Sequence, residues 1–235
     1  SQFAIPSIIS MLVGSLYNIV DQFFIGQRVG ELGNAATNIA FPLSTSCLAL
    51  ALLIGIGGSS AFNLAMGSGD DKKAVHLLGN AVVLLAGSGL FLSIITFLFL
   101  KPLLLFFGSP KAVLPFAIEY TKVTAFGFPF LLLGTGGGHL IRADGRPRMT
   151  MVCNLIGAVI NTVLDALFVF GLNLGMTGAA LATVIGQMVS GIMAIICLMH
   201  GKTVSIHKEH LFVKWENVTR IASLGMAPCS NQVAM

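Results

Sequence analysis

Charge is scarce in this sequence: only 9% of the 235 residues are Asp, Glu, Lys or Arg, against about a quarter in an ordinary soluble domain. That scarcity excludes a soluble globular fold of the usual kind. Cysteine is nearly as sparse, and Cys47, Cys153, Cys197 and Cys229 stand singly, without the paired spacing of a zinc or redox centre. Three of them lie in apolar runs and read as small core hydrophobes. No glycine-rich run follows a strand in a βαβ unit, so a phosphate-cradling loop is excluded as well. The start of the chain shows no basic region and cleavage site of a signal peptide. What the chain has instead is apolar length: 55% of residues are hydrophobic and the mean hydropathy is +0.90. Stretches of about 20 apolar residues, enough to cross a hydrocarbon core, recur along the whole sequence. It reads as an all-α membrane protein with no room for a soluble domain, no enzyme chemistry and no cofactor.

Glycine, proline and charge divide the chain into six predicted spans: Phe3 to Gln27, Asn38 to Met66, Val75 to Phe107, Phe116 to Ile141, Met149 to Gly171 and Thr177 to His200. A seventh starts near Val218. The connections are "GQRVGELG", "GSGDDKKA", "FGSPKAVLP", "RADGRPR", "LNLGMTG" and "HGKTVSIHKEHLFVKWE". Basic loops stay on the cytoplasmic side. Lys72, Lys73, Arg142, Arg146, Arg148, Lys202, Lys208 and Lys214 fall in the even-numbered connections, and only Arg28, Lys101 and Lys111 in the odd ones. The amino terminus is therefore expected in the cytoplasm, and the net charge of +4 calls for no nucleic-acid partner. Lys122 and Glu119, three residues apart near the outer end of span four, can pair and snorkel. His200, His207 and His210 in the last connection read as parts of a solvated basic linker. The chain opens beside one apolar stretch and closes inside another, so a fragment of a longer protein is expected.

Polar and small residues at helical spacing mark faces turned away from lipid. Span one shows Ser7, Ser10, Gly14, Tyr17, Asn18 and Asp21; span five shows Asn154, Gly157, Asn161 and Asp165; span six shows Ala179, Thr183, Gly186, Gln187, Ser190 and Ala194. Glycines at Gly55, Gly58 and Gly134 to Gly138 read as close helix packing. Of the nine acidic residues, only Asp21 and Asp165 lie well inside spans. With the orientation above, both, and Thr183, sit roughly 9 Å beneath the outer boundary at 1.5 Å per residue. Tyr17 and Asn161 lie one turn deeper, on the same faces as the two aspartates. An acid inside a membrane costs about 2.5 to 3.5 kcal/mol even on a lenient scale. Two at one depth, with an amide, a phenol and a hydroxyl around them, are therefore expected to do more than fix helix register. The pair can take a proton, or Asp21, Asn161, Asp165 and Thr183 can supply hard oxygen ligands to a sodium ion. The residues themselves leave both open.

"IPSIISMLVGSLYNIVDQFFIGQRVG", "GIGGSSAFNLAMGSGDDKKA", "HLIRADGRPRM" and "NTVLDALFVFGLNLGMTGAALATVIGQ" resemble, in order and spacing, the amino-terminal half of the multidrug and toxic compound extrusion (MATE) family. The resemblance implies one six-helix lobe of a twelve-helix, two-lobe transporter whose central cavity alternates between the two sides. It implies an antiporter in the plasma membrane that exports bulky, mostly cationic organic compounds in exchange for protons or sodium. The family's cation site falls here on Asp21, Tyr17, Asn161, Asp165 and Thr183. Residues 1–200 would form the lobe, 201–217 the cytoplasmic connection, and 218–235 the start of helix seven, with Pro228 standing where Pro6 stands in the first span. The partners implied are organic cations, membrane lipid and the carboxy-terminal lobe of the same chain.

Three rivals compete with that reading. A lipid-linked oligosaccharide flippase of the same superfamily shares the architecture, but the spans here hold almost no basic residues to meet phosphate. An intramembrane aspartyl protease needs aspartates that share a proton in Tyr-Asp and Gly-x-Gly-Asp settings, whereas Val20 and Leu164 precede the aspartates here. A half-protein that joins a separately made second half is the third.

Overall fold

A computed structural model of the chain describes residues 8, 12, 19–203 and 208–233. Tyr17, the serines, Gly14 and Asn18 of span one, and His207 lie outside the described residues. Helical residues 19–28, here α1, are followed by α2 (Glu31–Gly67), α3 (Asp71–Leu98), the short α4 (Leu100–Phe106), α5 (Leu114–Ala143), α6 (Pro147–Asp165), α7 (Gly175–Met199) and α8 (Trp215–Val233). Among the described residues there is no strand, as the backbone of a lipid-embedded segment requires when it must satisfy its own hydrogen bonds. Among the described residues, five helices are long and apolar enough to cross a membrane: α2, α3, α5, α6 with its continuation to Gly171, and α7. The chain is a multi-pass membrane protein.

The helix ends depart from the hydropathy boundaries for local reasons. Gly30, at φ 80°, turns the chain in one residue, in a region where a side chain would clash. Glu31 therefore already lies in the first turn of α2, where its charge favours the helix dipole. Span two begins seven residues earlier than its apolar run. Span three ends at Leu98 rather than Phe107: Phe99, at φ −115° and ψ 24°, leaves the helix, and Pro102 sits in the separate α4. The turn between α5 and α6 uses Gly145 at φ 79° and Pro147 as an opening helix residue, where its missing N–H costs nothing. The seventh helix starts at Trp215, three residues before the expected Val218.

Packing rests on glycine. A Cβ added at Gly55 would lie 2.7 Å from the Gly136 Cα, joining α2 to α5. One at Gly89 would lie 2.5 Å from the Pro129 Cα, joining α3 to α5. Between α6 and α7, a Cβ at Gly186 would lie 2.8 Å from the Gly157 carbonyl oxygen. Such contacts let backbones approach where lipid offers no hydrophobic driving force. A large core of α2, α3, α5 and α7 residues fills one part of the bundle, and a smaller one gathers Ile25, Ala36, Leu104, Val113, Ala117, Val169, Met176 and Ala179.

Part of the segment after α7 is fastened to the bundle, although residues 211–216 stay exposed. Asn80 of α3, fully buried, donates to the carbonyls of His210 (3.2 Å) and Phe212 (2.9 Å). Its oxygen accepts from the Lys214 N–H (2.9 Å) and the Asn217 amide (3.2 Å). The His210 ring meets that of His76 edge-on at 5.0 Å, and Lys73 pairs with Glu216 at 3.3 Å. His210, read above as part of a solvated basic linker, is thus anchored at its carbonyl while the residues after it stay exposed: one buried amide satisfies four groups that water would otherwise hold. Beyond it, α8 lies on α2, where a Cβ at Gly225 would fall 1.8 Å from the Leu53 carbonyl oxygen and one at Gly57 2.0 Å from that of Ile221.

Candidate functional site: a buried carboxylate pair

Asp21 stands on α1, held against α2 by the Thr37 hydroxyl, which donates to the Gln22 side chain at 3.1 Å. Asp165 is the last residue of α6, and from Ala166 to Gly171 the helix widens into π turns. Six residues of π geometry are uncommon, and such departures cluster at functional positions. Asp165 is completely buried and Asp21 nearly so, at 6% exposure. Their carboxyls lie close enough across the α1–α6 seam to act on each other.

Asn161, one turn deeper on α6, is 3% exposed and donates from Nδ2 to the Thr183 hydroxyl of α7 at 3.4 Å. Gly186 lies against the same amide, where an added Cβ would come within 2.9 Å of the Asn161 Cβ. The structure thus brings together Asp21, Asp165, Asn161 and Thr183 from three helices. Tyr17 lies outside the described residues. Among the described residues, Asp21 Oδ1, both Asp165 oxygens and Asn161 Oδ1 are buried without a hydrogen-bond partner. Buried acceptors left unmatched are costly, and four in one place form an arrangement that a proton or a small hard cation completes. Oxygen donors of this kind suit a sodium ion and not a soft transition metal.

Three groups were given other roles, or none, by the sequence reading. Gln187, one turn below Thr183, has its side-chain oxygen buried and unpaired, packed where Gly127 of α5 lacks a side chain. At the opposite end of the helices, Asp144, 1% exposed, accepts from the N–H groups of Lys202 (2.8 Å) and Thr203 (2.9 Å). It also pairs with Arg146 at 2.8 Å. Arg146 in turn donates to the carbonyls of Cys197 and His200. Glu119, expected beside Lys122, instead accepts from the backbone N–H and the hydroxyl of Thr177, which ties α5 to the start of α7.

A family model described as MatE matches residues 6–167. The multidrug export protein MepA of Staphylococcus haemolyticus is 27% identical over 209 residues, covering 88% of this chain and 46% of that protein. The FAD transporter of Shewanella oneidensis is 27% identical over 227 residues, covering 93% of this chain and 50% of that protein. A crystal structure of MATE in the bent conformation superimposes with a TM-score of 0.90 at 26% identity, over 100% of this chain and 52% of that one. The outward-facing conformation of a multidrug resistance MATE family transporter gives a TM-score of 0.90 at 26% identity, over 99% and 52%. The chain spans about half the length of the curated relatives it matches.

Proposed function

Because the chain belongs to the MatE family, we propose that it forms the amino-terminal lobe of a multidrug export transporter, with Asp21, Asp165, Asn161 and Thr183 holding the coupling ion. The observation that carries this reading is the burial, side by side, of two carboxylates with three of their oxygens left without donors. Taking up a cation there neutralises charge in a low-dielectric site, so occupancy favours one helix arrangement over another. Return of that ion down its gradient would drive an organic cation the other way through a cavity shared with a second lobe. The ion is a proton or sodium; Asn161 and Thr183 add ligands for the latter, and Tyr17 precedes Asp21 by four residues in the sequence.

In this reading residues 1–200 are the lobe, 201–217 the cytoplasmic connection and 218–235 the opening of the second lobe, whose helix already begins at Trp215. The protein would sit in the cell membrane with its amino end in the cytoplasm, the side on which Lys72, Lys73, Arg142, Arg146 and Arg148 gather. The flippase alternative draws no support from these likenesses.

The test is efflux from liposomes holding the complete protein, measured with a fluorescent organic cation under a proton gradient and separately under a sodium gradient. Wild type should export under one of them, and Asp165→Asn, folded to the same extent, should lose the dependence on that gradient. Undiminished coupling in Asp165→Asn would reduce the residue to a structural acid. FAD is included as a second cargo because a relative of equal identity is named for it; export of FAD alone would replace the organic-cation reading.

A further inference from the structure

The strap from Leu211 to Trp215 combines a fixed backbone with an apolar outer face. Asn80 takes up the His210 and Phe212 carbonyls and the Lys214 N–H. The Lys214 carbonyl accepts from the N–H groups of Asn217 and Val218 at the start of α8. Gly79 lets the chain lie flat on α3, since a Cβ there would fall 2.4 Å from the His210 carbonyl oxygen. These backbone groups are satisfied on the side of the bundle, as a segment in contact with lipid requires. The side chains form the other side: Phe212 is 77% and Trp215 78% exposed, and Leu211 and Val213 are exposed as well. Four large apolar side chains among five residues, held in place and uncovered, mark a surface that meets something other than water.

The level of the strap along the helices identifies what it meets. α2 holds 37 residues, a length of about 55 Å at 1.5 Å per residue, whereas a hydrocarbon core measures about 30 Å. Shared equally, the excess puts each boundary roughly 12 Å inside the ends of α2. Asn80 is the tenth residue of α3 and lies about 13 Å from the first. α2 and α3 run level there, because a Cβ at Gly58 would lie 2.7 Å from that of Ala81. The strap therefore sits where headgroups give way to acyl chains, the zone in which tryptophan is enriched. Lys214, exposed between Val213 and Trp215, has a stem long enough to follow them and carry its ammonium group to phosphate. Past Trp215 the chemistry changes: up to Ser230 the uncovered face of α8 holds Glu216, Thr219, Arg220 and Ser223, with Met226 its one large apolar residue. That face suits water or protein, so the lipid-like surface is confined to the strap.

We propose that Leu211, Phe212, Val213 and Trp215 insert into the headgroup boundary of the bilayer as an interfacial anchor whose partner is phospholipid, with Lys214 beside the phosphates. The anchor is independent of the carboxylate pair. It holds the chain between α7 and α8 at one level of the membrane, so that α8 enters the bilayer at a fixed height. The test is tryptophan fluorescence of the complete protein in liposomes, with the emission of Trp215 taken as the difference between wild type and Trp215→Phe. The quenchers are phospholipid brominated near the carbonyl end of its acyl chain, phospholipid brominated near the methyl end, and acrylamide in the water. The expected result is a larger loss of Trp215 emission to the shallow bromines than to either other quencher. Phe212→Trp, read against wild type, reports from a second position should Trp215→Phe fail to fold, and the same order of quenching is expected. Loss to acrylamide with none to bromolipid would overturn the proposal in favour of a solvated connection. No loss to any quencher would overturn it in favour of a face covered by the second lobe.

Discussion

Gly186→Ala is the smallest perturbation that reaches the proposed ion site without replacing any of its residues. The new methyl group would lie 2.8 Å from the Gly157 carbonyl oxygen and 2.9 Å from the Asn161 Cβ. Both neighbours are backbone or attached directly to it, so α6 must move away from α7 by several tenths of an ångström. Overpacking of this size costs about 1 to 3 kcal/mol, offset by about 1 kcal/mol from replacing glycine by alanine inside a helix. The fold should survive. The hydrogen bond from Asn161 to Thr183 should not, because at 3.4 Å it already stands at the limit of useful length. Losing one such bond is worth about 0.5 to 1.5 kcal/mol, which corresponds to coupling-ion affinity weaker by about two- to tenfold. The assay is efflux as a function of ion concentration, reading the half-saturating value. Gly87→Ala serves as the control, since nothing lies within 4 Å of its added methyl group, and it should leave that value unchanged. A folded Gly186→Ala protein with the wild-type half-saturating concentration would refute the claim that the α6–α7 contact sets the geometry of the site.

Two further substitutions address the opposite end of the helices from the carboxylate pair. Asp144→Ala removes the acceptor for two backbone N–H groups and the partner of Arg146, and should cost about 2 to 4 kcal/mol; a fall of about 5 °C or more in the detergent melting midpoint checks it, with a smaller fall for Asp144→Asn, which keeps one acceptor oxygen. Asn80→Ala strands four groups of the segment from His210 to Asn217, and faster protease cleavage between residues 201 and 214 than in wild type is the expected sign, with unchanged cleavage elsewhere in the chain.

The hydropathy of the chain made the long helices legible, because a membrane leaves the backbone few choices. It could not find the start of α2: the turn from Glu31 to Thr37 is polar, and its place in the helix is decided by Gly30 and not by apolar count. The break at Phe99 was equally hidden, since Leu98, Phe99 and Leu100 are as apolar as the helix before them. At the site, Asp21, Asn161, Asp165 and Thr183 could be gathered because charge at depth is expensive and helical spacing fixes which neighbours share a face. Asn80 and Asp144 were passed over for opposite reasons. A neutral amide within the apolar α3 carries less visible cost than a carboxylate, yet its burial with all bonding positions used is as deliberate. Asp144, in a turn rich in arginine, read as one more loop charge, and only the return of residues 202 and 203 to meet it shows otherwise. The π turns after Asp165 left no trace in composition, because widening a helix needs no special residue.

The contact of α8 with α2 also bears on how such a protein is made. Gly57 and Gly225 bring the two backbones together, and both residues, with Asn80, lie within the part of the chain that leaves the ribosome first. Amino-terminal units generally fold as they emerge. In the proposed two-lobe protein, the first helix of the second lobe would then be berthed on the first lobe before its own partners are synthesised, and the later helices would assemble around a guide already in position. The junction between the lobes would be inherited from the first half of synthesis, which would remove from the second half the search for its partner.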